Sequence, residues 1–262
     1  KDYLLSGVTV DERVTEICEY AEKILKKPGF AKKFKENFKK GWYSFSTPVW
    51  TNFGLDRGLP ISCFGSYIED STESILDTVS EIGIMSKYGG GTSAYCGNIR
   101  PRGSNIKNNG KTSGSVHFME LIQSVVNTIS QGSSRRGSCA VYLDIEHGDI
   151  EEFLDIQSDG HPIQDLSFGV CVSNKFMQGM LNGDAGKRRI WAKVLKSRAD
   201  KGYPYIFFTD NANDNKPQVY FDRNLMVSHS NLCSEIMLTD SPIWSFVCCL
   251  SSMNILYYDE WK

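Results

Sequence analysis

The segment Asn231-Leu-Cys-Ser-Glu235 carries the most chemistry per residue in this chain. In an extended run, residues two apart point to the same side. Asn231, Cys233 and Glu235 would then line one face, about 6–7 Å apart at successive positions. An amide, a thiol and a carboxylate would stand side by side. A carboxylate raises the pKa of a neighbouring thiol, so Cys233 makes a poor thiolate nucleophile. That disfavours cysteine-protease chemistry. A thiol reacting as a radical has no need to ionise, and the carboxylate can still act as a general base. The plain alternative is an edge strand with a half-buried cysteine.

Other candidates are spread along the chain. Ser62-Cys63 and Cys248-Cys249 each place a cysteine in or beside an apolar, strand-like run. Buried cysteine often behaves as a small hydrophobe. Neighbours such as Cys248 and Cys249 rarely bridge. Cys63 and Cys248 could do so only if the fold brings their Cα atoms within about 7 Å. Ser44-Phe-Ser-Thr-Pro48 offers hydroxyls and free N–H groups before a proline, a turn able to hold phosphate or a plain ST-turn. Asp70 with Glu73 reads first as a helix cap and capping box, and otherwise as a carboxylate for a ribose hydroxyl. Arg100, Arg102 and Lys107 lie in a Gly/Asn-rich turn region suited to a polyphosphate, or to solvent. Gln131 to Gly137, with Arg135 and Arg136, is a loop able to read a base edge. Gly89-Gly90-Gly91 has neither Walker A nor GxGxxG spacing.

The elements that must position these groups follow from capping and periodicity. Thr9 and Glu12 form a capping-box pattern, and Val14, Ile17, Cys18, Ala21 and Leu25 continue as a helix face until Pro28-Gly29. Phe30, Phe34 and Phe38 mark a second helix, whose lysines read as a solvated face rather than a phosphate patch. Strands are expected over 63–68, 140–143, 167–172 and 205–208. Helices are expected over 71–87, 115–129, 150–156 and 187–199. Short runs over 235–238 and 244–250 follow. Strands alternating with helices indicate α/β architecture with parallel pairing. No internal repeat is visible, and residues 46–262 read as one domain behind a helical lead-in, 1–45.

The 262 residues carry a net charge of -2, with 40% hydrophobic and 23% charged. That balance argues against disorder and gives no electrostatic case for nucleic-acid binding. No stretch approaches the roughly 18 apolar residues of a membrane span. Eight cysteines, no signal segment and a large core make reduced thiols in the cytoplasm the expectation. No Cys/His spacing suits zinc, so no metal is expected. The four histidines are scattered and read as structural. The chain opens on Lys1 and ends after Tyr-Tyr-Asp-Glu-Trp, so a piece cut or split from something longer is expected.

Seven segments, in this order, resemble the catalytic barrel of the ribonucleotide reductase large subunit. They are Ser46-Thr-Pro-Val, Ser62-Cys63, Gly90-Gly91, Asn98-Ile-Arg-Pro-Arg-Gly-Ser, Ser130-Gln-Gly…Arg135-Arg-Gly, Asn231-Leu-Cys-Ser-Glu and Cys248-Cys-Leu-Ser-Ser-Met-Asn. None is specific alone; seven in the family's order are. The resemblance implies part of a ten-stranded α/β barrel with a finger loop inside. It implies that Cys233 becomes a thiyl radical and takes the 3′ hydrogen of the ribose. Glu235 would deprotonate the 3′-hydroxyl, and Asn231 would hydrogen-bond the sugar. Cys63 and Cys248 would supply two electrons and finish as a disulfide. Ser46, Thr47 and Ser62 would hold substrate phosphate or sugar. Asp70, Arg100 and Lys107 would bind a deoxynucleotide or ATP effector, with Gln131 and Arg135 in the loop that relays effector identity. Helices 71–87 and 115–129 are candidates for a homodimer interface.

The resemblance also implies partners. No cofactor is expected on this chain itself. A metal-containing small subunit would supply the radical, as in virus-type large subunits, with adenosylcobalamin as the alternative. Thioredoxin or glutaredoxin would re-reduce the site. The second half of the barrel, its tyrosine pair, the C-terminal cysteine pair and an ATP-cone domain are all missing from the match. A complementary C-terminal fragment is therefore expected, without which the chain is inactive. Two other classes stay open: a catalytically silent nucleotide-binding regulatory module, and a thiol–disulfide oxidoreductase, disfavoured by the lack of CxxC.

Overall fold

The computed structural model describes residue 4, residues 7–132 and residues 135–262. Ser133 and Ser134 of the expected loop, and residues 1–3, 5 and 6 of the lead-in, lie outside the described residues.

The lead-in forms α1 (Val10–Leu25) and α2 (Phe30–Lys39). Its capping box is made as the sequence implies: Thr9 Oγ1 accepts from the Glu12 N–H, and Glu12 Oε2 accepts from the Thr9 N–H. Phe34 and Phe38 of α2 stack on Tyr43 and Phe45 of β1 (Tyr43–Phe45). Lys35 and Lys39 pair with Asp11. The short α3 (Thr47–Asn52) follows, and the buried Arg13 of α1 donates to its carbonyls at Val49 and Trp50 and to that of Phe53. A cation at a helix C-terminus is favourably placed against the dipole, which docks the lead-in on α3.

The main body alternates strand and helix: β2 (Cys63–Tyr67), α4 (Thr72–Lys87), β3 (Gly91–Tyr95), the small hairpin β4 (Asn105–Ile106) and β5 (Gly110–Lys111), α5 (Ser115–Thr128), β6 (Cys139–Asp144), α6 (Ile150–Phe153), β7 (Ser167–Val172), α7 (Asn174–Leu181), α8 (Ala185–Lys201) and β8 (Tyr205–Phe208). Then come α9 (Thr209–Asp214), α10 (Gln218–Asp222), β9 (Phe246–Cys248), β10 (Ser251–Met253) and α11 (Tyr258–Trp261). β10 pairs antiparallel with β1.

The large sheet runs β8-β7-β6-β3-β2-β9. All its pairs are parallel except β2–β9. The parallel strands are neighbours in chain order. A doubly wound sheet would reverse direction at a switch point; steady progression instead winds a sheet toward a barrel. Strand alternation then divides the core. Cys139, Val141 and Leu143 of β6 face the helices, with Ile82 of α4 and Met119 of α5. Ala140 and Tyr142 face the other side, with Cys171, Phe207 and Val227. Burial on both faces explains why these strands read as continuous apolar runs. The result is the α/β half-barrel with helical lead-in that the sequence implies.

Three local expectations are corrected. The cap of α4 is Ser71, whose hydroxyl accepts from the Ser74 N–H, and not Asp70 with Glu73. Asp70 instead turns to Arg100, which offers it both a backbone N–H and the guanidinium. The helix expected over 150–156 ends at Phe153: the Asp155 and Ile156 N–H groups bond only three residues back, to Glu152 O and Phe153 O, and Gln157 then turns away at φ 63°. The run 235–238 forms no strand. Among the described residues, no helix is long and apolar enough to cross a membrane.

Candidate active site

The site begins with a strand register. Cys63, the first residue of β2, stands opposite Cys248, the last of β9. This register needs Gly65, because a Cβ there would come within 2.0 Å of the Phe246 ring across the pair. Directly opposed antiparallel residues have Cα atoms about 4.5–5.5 Å apart, which is disulfide range. Both thiols are buried and free. Mild oxidation is expected to join Cys63 to Cys248, read as a mass loss of about 2 Da on the linked peptides. Cys63→Ser should prevent it. Two thiols that stay free while Cys233 and Cys249 are modified would contradict this geometry.

The second component is the loop between β8 and β9. Residues 231–235 are not extended, contrary to the alternation expected above. The Ser234 N–H bonds to Asn231 O, and Ser234 sits at φ 63°. The Asn231 side chain takes the place of a ladder partner. Its Oδ1 accepts from the Glu235 and Ile236 N–H groups at 3.0 and 3.1 Å. Such side-chain bonding to nearby backbone is the usual competitor of sheet structure at Asn. Asn231 is therefore fully buried, and Cys233 and Glu235 are exposed at the loop tip.

The turn nevertheless brings the Asn231 amide and the Glu235 carboxylate together, and joins them to Cys63. Asn231 Nδ2 donates to Glu235 Oε1 at 2.9 Å and to Cys63 Sγ at 3.2 Å. Tyr142 Oη, on the inner face of β6, donates to Asn231 O at 2.7 Å. Leu232 packs over the start of β3, where Gly91 leaves it room; a Cβ there would lie 2.6 Å from Leu232 Cδ2. The loop thus reaches the amino ends of β2 and β3. Ligands of open α/β sheets usually bind at the carboxyl ends, so this site depends on the antiparallel β9 and on the loop.

The thiols are held protonated. Burial pushes Cys63 up to about 11, only partly offset by the Asn231 hydrogen bond. Burial and then the Glu235 carboxylate push Cys233 up, while Arg135 pulls it down. Cys248 is raised by burial and by Glu235. None is poised as a thiolate, in keeping with the radical alternative.

Around the thiols, the hydroxyls of Ser46 and Ser62 are buried and make no hydrogen bond within the described residues. The Ser62 N–H donates to Cys248 O, tying it to the cysteine pair. Thr47 opens α3. Gln131 is buried, its amide donating to Asn52 Oδ1 and Arg57 O. At a separate surface, Asp70 and Arg100 pair at 2.6 Å, and Lys107 is exposed in the β4–β5 turn. Arg102, grouped above with these cations, is instead gripped by both carboxylate oxygens of Glu152. The sequence reading missed Asn52, His229 and Asp240, which meet their partners only through tertiary packing and carry no spacing signal. Among the described residues, no group of three or more His, Cys, Asp or Glu could hold a metal ion.

A family model described as ribonucleotide reductase, barrel domain, matches residues 61–187 and 184–259. A Frog virus 3 (isolate Goorha) protein, provisionally named a ribonucleoside-diphosphate reductase large subunit, is 31% identical over 255 residues, covering 90% of this chain and 44% of its own length. A vitamin B12-dependent ribonucleoside-diphosphate reductase of Mycobacterium tuberculosis (strain CDC 1551 / Oshkosh) is 29% identical, with 91% and 36% covered. The solved structure of the Actinobacillus ureae class Id ribonucleotide reductase alpha subunit superposes with a TM-score of 0.93 at 54% identity, covering 99% of this chain and 48% of that one. The chain spans less than half the length of each of these proteins.

Proposed function

The chain belongs to the ribonucleotide reductase barrel-domain family, and from that premise we propose that it carries the radical-thiol portion of a site that reduces ribonucleotides to deoxyribonucleotides. One observation carries the reading. A single amide, Asn231, bonds both Glu235 and Cys63, and Cys63 faces Cys248 across β2–β9.

In this reading Cys233 is the thiyl radical that takes the 3′ hydrogen. Glu235 accepts the 3′-hydroxyl proton, oriented by Asn231. Cys63 and Cys248 give two electrons and two protons, the 2′-hydroxyl leaves as water, and the pair ends as a disulfide; Glu235 returns the proton to the 3′ oxygen and Cys233 returns the hydrogen to C3′, regaining its radical. Ser46, Thr47 and Ser62 hold the substrate; the buried, unpartnered hydroxyls of Ser46 and Ser62 support this. Relatives named ribonucleoside-diphosphate reductases favour a diphosphate substrate. Residues 46–262 serve as barrel and 1–45 as lead-in. The remaining barrel, in a complementary chain or segment, completes the site.

Partners follow the same premise. The 54% identity to a class Id alpha subunit favours a metal-containing small subunit as radical source. Adenosylcobalamin is the second reading, favoured by the B12-dependent relative. Thioredoxin or glutaredoxin re-reduces the cysteine pair, in the cytoplasm. A homodimer through α4 and α5 is supported by their exposed Leu76, Ile84 and Leu121. The test is deoxynucleotide formation by the complemented barrel, wild type against Cys233→Ala.

Asp70, Arg100 and Lys107 form the effector site, with Gln131 and Arg135 relaying its occupancy. Asp70→Ala is expected to weaken dTTP binding to the purified chain by roughly tenfold, the scale of one charged hydrogen bond. Calorimetry reads this directly, and an unchanged affinity would remove Asp70 from the site.

A further inference from the structure

Four polar side chains, those of Ser93, His229 and Asp240 buried and that of Ser228 partly buried, lie at the root of the cysteine loop, outside the chemistry proposed above. His229 is fully buried. Its ring lies among those of Tyr95, Tyr142 and Phe246, at centroid distances of 6.0, 5.5 and 5.4 Å. Its Nε2 is 3.3 Å from Ser93 Oγ on β3, and its Nδ1 is 3.0 Å from Ser228 Oγ. Ser228 Oγ in turn donates to Asp240 Oδ1 at 2.8 Å. The Asp240 side chain is only 2% exposed, and its Oδ2, 3.6 Å from His229 Nδ1, has no hydrogen-bond partner.

Donor counting orders the chain. Ser228 has one hydroxyl proton and spends it on Asp240, so it can only accept from His229 Nδ1–H. His229 Nε2 is then an acceptor, and the Ser93 hydroxyl divides its one proton between Nε2 at 3.3 Å and Phe64 O at 3.4 Å. A neutral imidazole fits this arrangement, and burial pushes His229 down to about 3. Residues 228, 229 and 240 bracket the loop, so the chain ties both of its ends together and to the middle of β3.

Such a network is a poor device for stability. Buried polar pairs replaced by apolar groups of similar volume often leave a protein as stable or more so. What the network does supply is one geometry. Asn231, two residues from His229, must reach Cys63 Sγ and Glu235 Oε1 at once.

We propose that Ser93, Ser228, His229 and Asp240 are positioning residues, a buried clip that fixes the cysteine loop on β3 and so holds Asn231 over Cys63. The functional sense rests on the reductase reading, but the geometry can be tested without turnover.

The test uses hydrogen–deuterium exchange on the purified 262-residue chain. The double variant His229→Leu/Asp240→Leu is expected to keep its Tm within about 3 °C of wild type. Exchange over 230–237, which contains the Glu235 and Ile236 amides held by Asn231, should rise at least about tenfold. Exchange in β6 and β7 should not change. Asp240→Asn, which keeps an acceptor for Ser228, should rescue the loop to within about threefold of wild type. A folded double variant with wild-type exchange over 230–237 would overturn the proposal. If the double variant does not fold, Ser93→Ala decides: faster exchange confined to 230–237 supports the clip, and unchanged exchange overturns it. No deoxynucleotide formation by the complemented wild-type barrel, with loop exchange still raised in the double variant, would count against the reductase reading alone.

Discussion

Replacing Cys233 by alanine is expected to abolish deoxynucleotide formation by the complemented barrel, a fall of at least about 10⁴-fold, as for other groups that bear the chemistry. Alanine has no S–H bond from which a radical could form, and no other described thiol stands at the loop tip. Cys63 and Cys248 are buried in the β2–β9 pair. Cys233 is exposed, and among the described residues its side chain makes no hydrogen bond that the fold requires. The substitution should therefore change stability by no more than about 0.5 kcal/mol. Lost turnover with an unchanged melting curve and unchanged dTTP affinity would isolate the chemistry. Full turnover in Cys233→Ala would end the radical reading and leave the nucleotide-binding module as the better account.

Asn231→Ala carries the second large effect, and it strikes structure and chemistry together. The side chain accepts from two backbone N–H groups and donates to Glu235 and Cys63. Alanine leaves the Glu235 and Ile236 amides without their partner. Orphaned buried donors cost about 1–3 kcal/mol each, less whatever water can recover near the loop tip. A loss of about 2–4 kcal/mol in urea unfolding is expected. Where the variant folds, turnover should fall by about 10²–10³-fold through lost orientation of Glu235. Asn231→Asp separates the two roles. It keeps the acceptor for both amides but sets a second carboxylate against Glu235, so stability should recover more than activity. A loss under about 0.5 kcal/mol in Asn231→Ala would mean that the loop is ordered by something else.

The two substitutions probe opposite ends of one turn. Cys233 can be changed because it is exposed, and Asn231 cannot because its side chain holds the Glu235 and Ile236 amides, Glu235 and Cys63 together. The same contrast limits how far local sequence can be read. An Asn-x-Cys-x-Glu spacing is compatible with a strand, and strand alternation would also align the three groups. The turn wins because Asn231 satisfies two backbone donors itself, an option a simple period does not weigh. Asp70 gives a second case. Its place before a helix suits a cap, yet Ser71 takes the cap and Asp70 bonds the distant Arg100.

Other features were readable because their causes are local. The Thr9 capping box, the apolar runs of β2, β6 and β7, and the amphipathic α2 depend on residues within a few positions of each other. The order of motifs also carried the family resemblance and with it the half-barrel. The sequence by itself therefore determined α1, α2, α4, α5 and α8, the strands β2, β6, β7 and β8, and which cysteines could take part, while β3 and α7 carried no local signal that was read. Only the tertiary structure decided that Cys63 meets Cys248, that Asn231 bridges Cys63 and Glu235, and that His229 and Asp240 close the loop at its root. Those contacts join β2 and β3 to segments far along the chain, and they exist because β9 adds antiparallel to β2 with Phe246 seated over Gly65. Register between distant strands is set by such cross-strand packing, and no local period encodes it.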